Sequence, residues 1–232
     1  SEKHNVPVAI LLDTKGPEYR IGTFENGKIQ LKDNDIFTFT TEKIIGNESM
    51  VSVNYDKLMH NLEVGDTILV NNGLVIFKVL ELTDTTAKCQ VVIGGILSDK
   101  KSMNFPGKVM KHDFLSEQDK KDLLFGIKND VDYVAASFVS TKQDILDMRT
   151  FLNENGGENI DLIAKIENRS GVDHIDEICE IADGIMIARG DLGIEVPIER
   201  IPGIQRRIIR KCVQAHKPVI VATQMLQSMI HN

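Results

Sequence analysis

A cation and a carboxylate stand two positions apart in the segment AKIEN, at Lys165 and Glu167. The segment ends a short apolar run that is typical of a β-strand, and residues two apart on a strand point to the same side. The ammonium and the carboxylate are therefore expected on one wall of a pocket. Taken alone, the pair fits equally well a local salt bridge near a strand end.

A second carboxylate follows the next apolar run along the chain. The segment GIMIARGDLGIE places Arg189 and Asp191 at its polar end, and Gly190 between them lets the backbone approach a ligand closely. Magnesium prefers oxygen ligands and commonly takes one or two carboxylates together with substrate oxygens and water. Glu167 and Asp191 are therefore predicted to hold a divalent metal ion. Lys165 beside them would neutralise charge on a transferring phosphoryl group.

Two further strand ends carry polar residues whose role the sequence leaves open. Asp13, Thr14 and Lys15 follow the apolar run PVAILL, which we predict to be a buried strand, but Asp and the following Gly-Pro are also ordinary turn residues. Thr223 ends the run PVIVAT. Its hydroxyl could bond a bound carboxylate, or Thr223 could be the N-cap of a following helix. The histidines show no ligand spacing, and no standard nucleotide-binding motif is present.

Alternating strands and helices must position these residues. The runs DYVAASFV, DLIAKIEN, DGIMIARG and PVIVATQ are apolar and each follows an amphipathic stretch, the first opened by the capping pair Ser116 and Asp119 and the others near 141–153, 172–181 and 199–216. Strands buried on both faces in this order indicate a parallel sheet, either open and doubly wound or closed as a barrel. In both architectures the polar strand ends form the ligand-binding edge.

Between about residues 21 and 96 this alternation of strands and helices is interrupted by a segment with a different sequence pattern. Short β-rich pieces such as KIQL, IFTFT and TILV are separated by turn pairs that include Asn26-Gly27 and Asn72-Gly73. Such spacing predicts a compact all-β unit, a sandwich or a small barrel. Because it is inserted directly after the first strand, we expect it to overhang the strand ends as a lid.

Composition limits the classes of partner. The 232 residues are 42% hydrophobic and carry a formal net charge of -7, which argues against a nucleic acid or an anionic membrane as the main partner. The N-terminal residues are too polar for a signal peptide, and no apolar run approaches the length of a membrane span. The cysteines at 89, 179 and 212 are not closely spaced, so reduced thiols and a cytoplasmic location are expected.

Six strings, in this order and at these intervals, resemble the pyruvate kinases: LLDTKGPEYR, SDKKSMNFPG, ASFV, IAKIENRSGV, IMIARGDLGIE and VIVATQMLQSMI. The resemblance covers essentially the whole chain. It implies an α/β fold, a partial (β/α)₈ TIM barrel formed by residues 1–16 and 113–232, with residues 17–112 as an inserted all-β lid, a small β-barrel. Only barrel strands three to seven are matched, so the first two strands, the eighth and the C-terminal regulatory domain are missing from the match.

The resemblance also implies an activity. Pyruvate kinases transfer the phosphoryl group of phosphoenolpyruvate to ADP, giving pyruvate and ATP in the last step of glycolysis. The implied cofactors are Mg²⁺ or Mn²⁺ together with K⁺, and the full-length protein is expected to be a cytoplasmic homotetramer.

Site residues follow from the same resemblance, position by position. Lys165 is implied to stabilise the phosphoryl group in flight, and Glu167 and Asp191 to bind the divalent metal ion. Gly190 and Asp191 would meet the substrate carboxylate through their amides. Thr223 would complete that pocket and take part in proton transfer to the enolate.

The monovalent cation and the nucleotide are implied to use other residues. Asp13 through its side chain and Thr14 through its carbonyl correspond to ligands of the monovalent cation. Arg20, which also counts among the catalytic residues, and Lys101 correspond to groups that reach the nucleotide phosphates. Glu18 stands where a glutamate accompanies potassium dependence in the family.

The sequence departs from the family pattern in two respects, and it also fits two alternative functions. The lid turn reads Asn71-Asn72-Gly73 where the family usually has Asp-Asp-Gly, which removes two negative charges, although Asn-Gly still suits a hairpin. The strand-two motif that supplies an arginine and further cation ligands is absent, so the chain alone is expected to be inactive. A magnesium-dependent carbon–carbon lyase acting on oxoacids, and a non-catalytic fragment, are the alternative interpretations.

Overall fold

The structure, a computed structural model, describes residues 7–108 and 114–223. In chain order its strands are β1 Leu11–Asp13, β2 Tyr19–Arg20, β3 Lys28–Leu31, β4 Ile36–Thr40, β5 Met50–Ser52, β6 Thr67–Val70, β7 Val75–Leu82, β8 Thr86–Ile93, β9 Gly95–Ser98, β10 Ser102–Asn104, β11 Tyr133–Ala136, β12 Asp161–Ile166, β13 Gly184–Ala188 and β14 Val219–Ala222. Its helices are α1 Leu58–Asn61, α2 Glu117–Lys128, α3 Lys142–Glu154, α4 Arg169–Asp173, α5 Ile175–Ile181, α6 Arg189–Glu195 and α7 Ile201–Gln214, the last preceded by a 3₁₀ turn at Ile198–Arg200.

The chain divides into two compact units. One comprises Ser1–Pro17 with Asp113–Asn232, and the other comprises Glu18–His112. The first unit contains β1, β11 to β14 and the helices α2 to α7, and the second contains β2 to β10 and α1. Each unit has its own cluster of buried hydrophobic residues.

A five-stranded parallel sheet forms the centre of the first unit. Its order is β1-β11-β12-β13-β14, so each strand lies beside the one that precedes it in the unit. A doubly wound sheet reverses its strand order at a switch point, whereas a (β/α)₈ barrel adds strands in one direction. The order therefore favours the barrel over the open sheet, and this unit is part of a (β/α)₈ barrel.

Local sequence signals place the helices that flank this sheet. Ser116 and Asp119 form a capping box at the start of α2, and Thr141 and Asp144 form another at the start of α3. The helix expected at 172–181 is instead two helices, α4 and α5, that meet at His174. The first of them starts early because the Asn168 side chain accepts a hydrogen bond from the backbone N–H of Gly171 at 2.7 Å. Among the described residues, no helix combines the length and apolar character needed to cross a membrane.

The prediction of a buried strand at 7–12 is wrong for this chain. The strand extends only over Leu11–Asp13, and Val8 and Ile10 are 68% and 55% exposed. The reason is position, because among the described residues β1 is at one edge of the sheet and pairs only with β11. Only the end of the hydrophobic run forms a strand, and its burial would require a neighbour on its other side.

A seven-stranded sheet in the order β2-β10-β6-β7-β8-β4-β5 builds the second unit, together with the two-stranded sheet of β3 and β9. All its strand pairs are antiparallel except β4 with β5. Phe37, Phe39 and Phe77 are fully buried and contact one another in its core. Between β6 and β7, Asn71 and Asn72 both adopt a φ of 56°, a left-handed conformation that asparagine tolerates better than most residues.

Candidate active site

Polar side chains of the first unit gather at the carboxyl ends of three neighbouring strands. Asp13 is the last residue of β1, Ser137 directly follows β11, and Lys165 lies near the end of β12 with Glu167 just beyond it. In a parallel sheet these ends share one edge, which is where ligands bind in barrel folds. The structure thus brings together residues that are up to 154 positions apart in the chain.

Lys165 is at the centre of this group. Its ammonium nitrogen lies 2.9 Å from Asp13 Oδ1, 2.7 Å from Ser137 Oγ and 3.4 Å from Glu167 Oε1. Burial alone would lower the pKa of Lys165, but the nearby carboxylates of Glu167 and Asp13 outweigh burial, and the pKa is raised. The side chain therefore remains a cation at neutral pH.

Glu167 is a buried carboxylate, only 3% exposed. Its Oε2 accepts a hydrogen bond from the backbone N–H of Phe138 at 2.7 Å, and Phe138 adopts a φ of 58° that is unusual for a bulky residue. Burial is the main cause that raises the pKa of Glu167, and the charge of Asp191 adds to it, whereas Lys165 and the Phe138 N–H oppose the rise. Asp191 is thus close enough to Glu167 to repel its negative charge.

The two carboxylates suit a divalent cation. A positive ion between Glu167 and Asp191 would relieve their repulsion, and carboxylate oxygens are ligands that magnesium and manganese prefer. Within 7–108 and 114–223, no group of three or more His, Cys, Asp or Glu side chains could hold a metal ion. This sparse pair is therefore compatible with an ion that keeps water and substrate oxygens, rather than one enclosed by protein ligands.

The turn after β1 is held firmly. Thr14 is 5% exposed, its N–H and hydroxyl both donate to the Ala135 carbonyl, and its hydroxyl accepts from the Ser137 N–H at 3.1 Å. Gly16 has a φ of 68°, and its N–H donates to Asp119 Oδ1 at 3.1 Å. A Cβ at Gly16 would lie 2.9 Å from the Ser137 carbonyl oxygen, so no larger residue fits there without a shift.

Two oxygen atoms of this turn lie near the Ser137 hydroxyl. The Thr14 carbonyl oxygen and Asp13 Oδ1 lie 2.7 Å and 3.3 Å from the same atom, Ser137 Oγ. Hard cations prefer oxygen ligands, so a carboxylate and a carbonyl oxygen of this kind are compatible with the monovalent cation that the resemblance implies.

A third group lies where β13 and β14 end. The guanidinium of Arg189, the first residue of α6, donates to the carbonyl of Ala222 at 3.0 and 3.1 Å and also to the carbonyl of Thr223. Thr223 has a φ of 64°, and the position of a Cβ on Gly190 faces open space. Arg189 therefore ties the end of β14 to the segment that carries Gly190 and Asp191.

The residues implied to bind nucleotide belong to the second unit. Arg20 on β2 lies opposite Ser102 on β10, which brings it close to Lys101. Its guanidinium donates to the Lys100 carbonyl at 2.7 Å and to the Glu18 carboxylate. The hydrogen bond to Glu18 is the main cause that raises the pKa of Arg20. A fixed positive group thus stands on this strand pair.

Sequence reasoning missed three residues that shape the site. Ser137, 2% exposed, contacts both Lys165 and the Thr14 carbonyl, Phe138 supplies an N–H to Glu167, and Asp119 anchors Gly16. Ser137 and Phe138 lie within the predicted strand DYVAASFV, which in the structure ends at Ala136, so their place near a strand end was the available signal. Asp119 was assigned only to a helix cap, because its link to Gly16 spans 103 positions.

Comparison with known proteins agrees with this geometry. The chain matches the family described as pyruvate kinase, barrel domain, over residues 1–232. It is 47% identical over 225 residues to a pyruvate kinase of Clostridium perfringens, and the aligned region covers 97% of this chain and 48% of that protein. It is also 47% identical over 231 residues to a pyruvate kinase of Clostridium acetobutylicum, covering 99% of this chain and 49% of that protein.

A solved structure gives the same result. The crystal structure of a pyruvate kinase from Cryptosporidium parvum has a TM-score of 0.92 and 39% sequence identity, covering 99% of this chain and 48% of the other. The chain spans about half the length of the curated relatives it matches. The match favours the pyruvate kinase interpretation over the lyase. The chain belongs to the pyruvate kinase barrel-domain family.

Proposed function

We propose that the full-length protein containing this chain is a pyruvate kinase, which transfers the phosphoryl group of phosphoenolpyruvate to ADP and forms pyruvate and ATP. The observation that carries the proposal is the placement of Lys165. Its partly buried ammonium lies beside Glu167 and Asp13 at the carboxyl edge of a parallel sheet. A protonated lysine among carboxylates that can hold metal ions is the arrangement that phosphoryl transfer requires.

Lys165 acts on the charge of the transferring group. Phosphoryl transfer involves little covalent chemistry by the protein, so catalysis depends on position and on electrostatic stabilisation. The raised pKa of Lys165 keeps the amine protonated, and its hydrogen bonds hold the ammonium in one place before substrate arrives. A donor fixed in advance interacts most strongly when charge moves onto the phosphoryl oxygens.

Glu167 and Asp191 hold the divalent ion, Mg²⁺ or Mn²⁺, and Asp13 with the Thr14 carbonyl hold K⁺. When bound, these ions neutralise the charges of the phosphoryl group and the substrate carboxylate. The residues of the chain keep the ligand oxygens in place. Glu167 is oriented by the Phe138 N–H, and the Thr14 turn is fixed by bonds to Ala135.

Other residues bind the substrate carboxylate and the nucleotide phosphates. The amides of Gly190 and Asp191 meet the substrate carboxylate, and Thr223 completes that pocket and assists proton transfer to the enolate. Arg20 and Lys101, which both belong to the all-β unit, bind the nucleotide phosphates. Glu18, paired with Arg20, is a neighbour of this group.

We also propose a setting for the enzyme. The domain division lies near residues 16–17 and 112–113, the full-length protein is a cytoplasmic homotetramer, and its reaction is the last step of glycolysis. Because the chain has a net charge of -7, its phosphorylated substrates are bound by individual cationic side chains and metal ions rather than by a general positive field.

A coupled assay tests the activity. The full-length protein is incubated with phosphoenolpyruvate, ADP, magnesium and potassium, and pyruvate is measured by NADH oxidation through lactate dehydrogenase. We expect pyruvate formation that requires both ADP and the divalent ion. Release of pyruvate without ADP, or none at all in the complete mixture, would contradict the proposal.

A further inference from the structure

Ser137 is a buried side chain that contacts two parts of the site. It follows β11 directly and is 2% exposed. Its Oγ lies 2.7 Å from Lys165 Nζ and 2.7 Å from the Thr14 carbonyl oxygen. Among the residues implied by the family resemblance, none has this position between the lysine and the turn after β1.

The direction of these hydrogen bonds follows from the number of available protons. A serine hydroxyl has one proton to donate and two lone pairs that accept. The Thr14 carbonyl can only accept and the Lys165 ammonium can only donate, so Ser137 donates to Thr14 and accepts from Lys165. Asp13 Oδ1, at 3.3 Å from the hydroxyl, is the more distant acceptor and already accepts a hydrogen bond from the Lys165 ammonium at 2.9 Å.

Ser137 is also the neutral partner of Lys165. The ammonium has three protons, and in the described part of the chain its oxygen neighbours are Asp13, Glu167 and Ser137. Under the proposed function, both carboxylates are ligands of cations. Ser137 is therefore the neighbour whose hydrogen bond to Lys165 does not compete with ion binding.

We propose that Ser137 is a positioning residue, whose hydroxyl holds the Lys165 ammonium and the Thr14 carbonyl as one unit and so couples the turn after β1 to the lysine. The inference rests on the proposed function for its effect on turnover. It extends that function by linking the implied K⁺ ligand Thr14 to the group that stabilises the phosphoryl transfer.

The test compares three variants of the full-length protein. Ser137→Ala removes the hydroxyl, and Ser137→Cys fills the same space with a weak hydrogen-bonding group. Ser140→Ala is the matched control, because the Ser140 hydroxyl bonds Phe138 and Asn168 in the same loop but contacts neither Lys165 nor Thr14. Melting temperatures of all three establish that the fold is retained.

In both Ser137 variants, kcat should decrease more than the KM for phosphoenolpyruvate changes. Removing a hydrogen bond to a charged group should lower kcat by about ten- to a hundredfold. The K⁺ concentration for half-maximal activity should rise, because the Ser137 hydroxyl no longer holds the Thr14 carbonyl in place. At saturating K⁺ in a Lys165→Met background, Ser137→Ala should lower kcat by less than about twofold further, because the ammonium that Ser137 positions is gone.

A second measurement does not depend on turnover. The rate at which trinitrobenzenesulfonate labels Lys165 is followed by peptide mass spectrometry in the metal-free protein. Ser137→Ala should raise this rate by at least about threefold, because the amine loses a hydrogen-bond partner. Ser140→Ala should label at the rate of the unsubstituted protein.

Two outcomes overturn the proposal. One is a kcat in Ser137→Ala or Ser137→Cys equal to that of Ser140→Ala, and the other is equal labelling of Lys165 in all proteins. If the unsubstituted protein makes no pyruvate, the proposed function is wrong and the labelling rate alone decides the role of Ser137.

Discussion

Lys165 holds its charge in a place where burial alone would favour the neutral amine. The carboxylates of Asp13 and Glu167 outweigh that effect, and each of its protons has an oxygen neighbour. Such an ammonium is organised before substrate binds, so its contribution should appear in the transition state rather than in substrate affinity.

Replacing Lys165 by Met tests this directly. Lys165→Met in the full-length protein should lower kcat by at least roughly 10²–10³, the scale of losing one preorganised donor, while the KM for phosphoenolpyruvate changes little. Steady-state kinetics measure both constants. A variant with a kcat near that of the unsubstituted protein would remove Lys165 from the mechanism.

Glu167 and Asp191 can be tested as metal ligands without turnover. Glu167→Ala and Asp191→Ala should each weaken manganese binding more than about tenfold, since even the partners of ligands are worth that much. A calorimetric or proton-relaxation titration gives the affinity. Glu199→Ala is the control, because Glu199 is an exposed carboxylate on the 3₁₀ turn. If Glu167→Ala binds manganese normally, Glu167 serves only as the salt-bridge partner of Lys165.

Asp119 connects two elements of the first unit. Its carboxylate caps α2 through the Ser116 N–H and hydroxyl, and it also accepts from the Gly16 N–H after β1. The side chain is 1% exposed, so the bonds are made away from water. A helix cap thus also positions the turn that carries Asp13 and Thr14.

Asp119→Ala should therefore destabilise the protein. Loss of the cap together with an unsatisfied buried N–H predicts a decrease of about 2 kcal/mol in the free energy of unfolding, measured by urea denaturation. Asp147→Ala provides the comparison, because Asp147 is exposed on α3 and should change stability by less than about 0.5 kcal/mol. Equal losses in the two variants would show that the link to Gly16 contributes nothing.

Two buried thiols connect packing with pH. Burial raises the pKa of Cys89 on β8 to about 12, and burial followed by the neighbouring Cys179 raises that of Cys212 on α7 to about 12. An unfolded thiol has a pKa of about 8.5, so the folded state binds these protons more tightly. Each thiol therefore stabilises the fold below pH 8.5 or so, and this stabilisation is lost as the pH rises toward 12.

The expected result concerns reactivity. At pH 9 the native protein should show slow iodoacetamide labelling at Cys89 and Cys212, because the reactive thiolate is scarce and the side chains are buried. In denaturing urea both should react rapidly. Peptide mass spectrometry identifies the modified positions. Fast labelling of either cysteine in the native protein would contradict the burial shown here.

What the sequence could predict depends on the range of the interactions. The strand and helix order, the Ser116 capping box and the closeness of Lys165 to Glu167 arise from local patterns, and the structure agrees with them. Contacts between distant segments were not predictable, such as those of Ser137 with Thr14 and of Asp119 with Gly16. These contacts depend on which strands become neighbours, which periodicity does not encode.

Within residues 7–108 and 114–223, the five-stranded sheet has two open edges. In the described part of the chain, β1 and β14 each pair with one neighbour only, and Leu11 and Ile220 on them are 39% and 38% exposed. A barrel interior is filled by side chains from alternate strands around the whole ring, so five strands leave it incomplete. Unpaired edges also favour association with other chains.

Residues 1–232 alone are accordingly expected to make no pyruvate above background. The incomplete barrel should pack loosely or aggregate, whereas the all-β unit, with its own buried core, could fold by itself. Size-exclusion chromatography and the coupled assay with phosphoenolpyruvate, ADP, magnesium and potassium test both expectations, with the full-length protein assayed in parallel. Turnover by residues 1–232 within about tenfold of the full-length protein would mean that five strands suffice to place Lys165 and the metal ligands. Closure of the barrel would then be a matter of stability and not of catalysis.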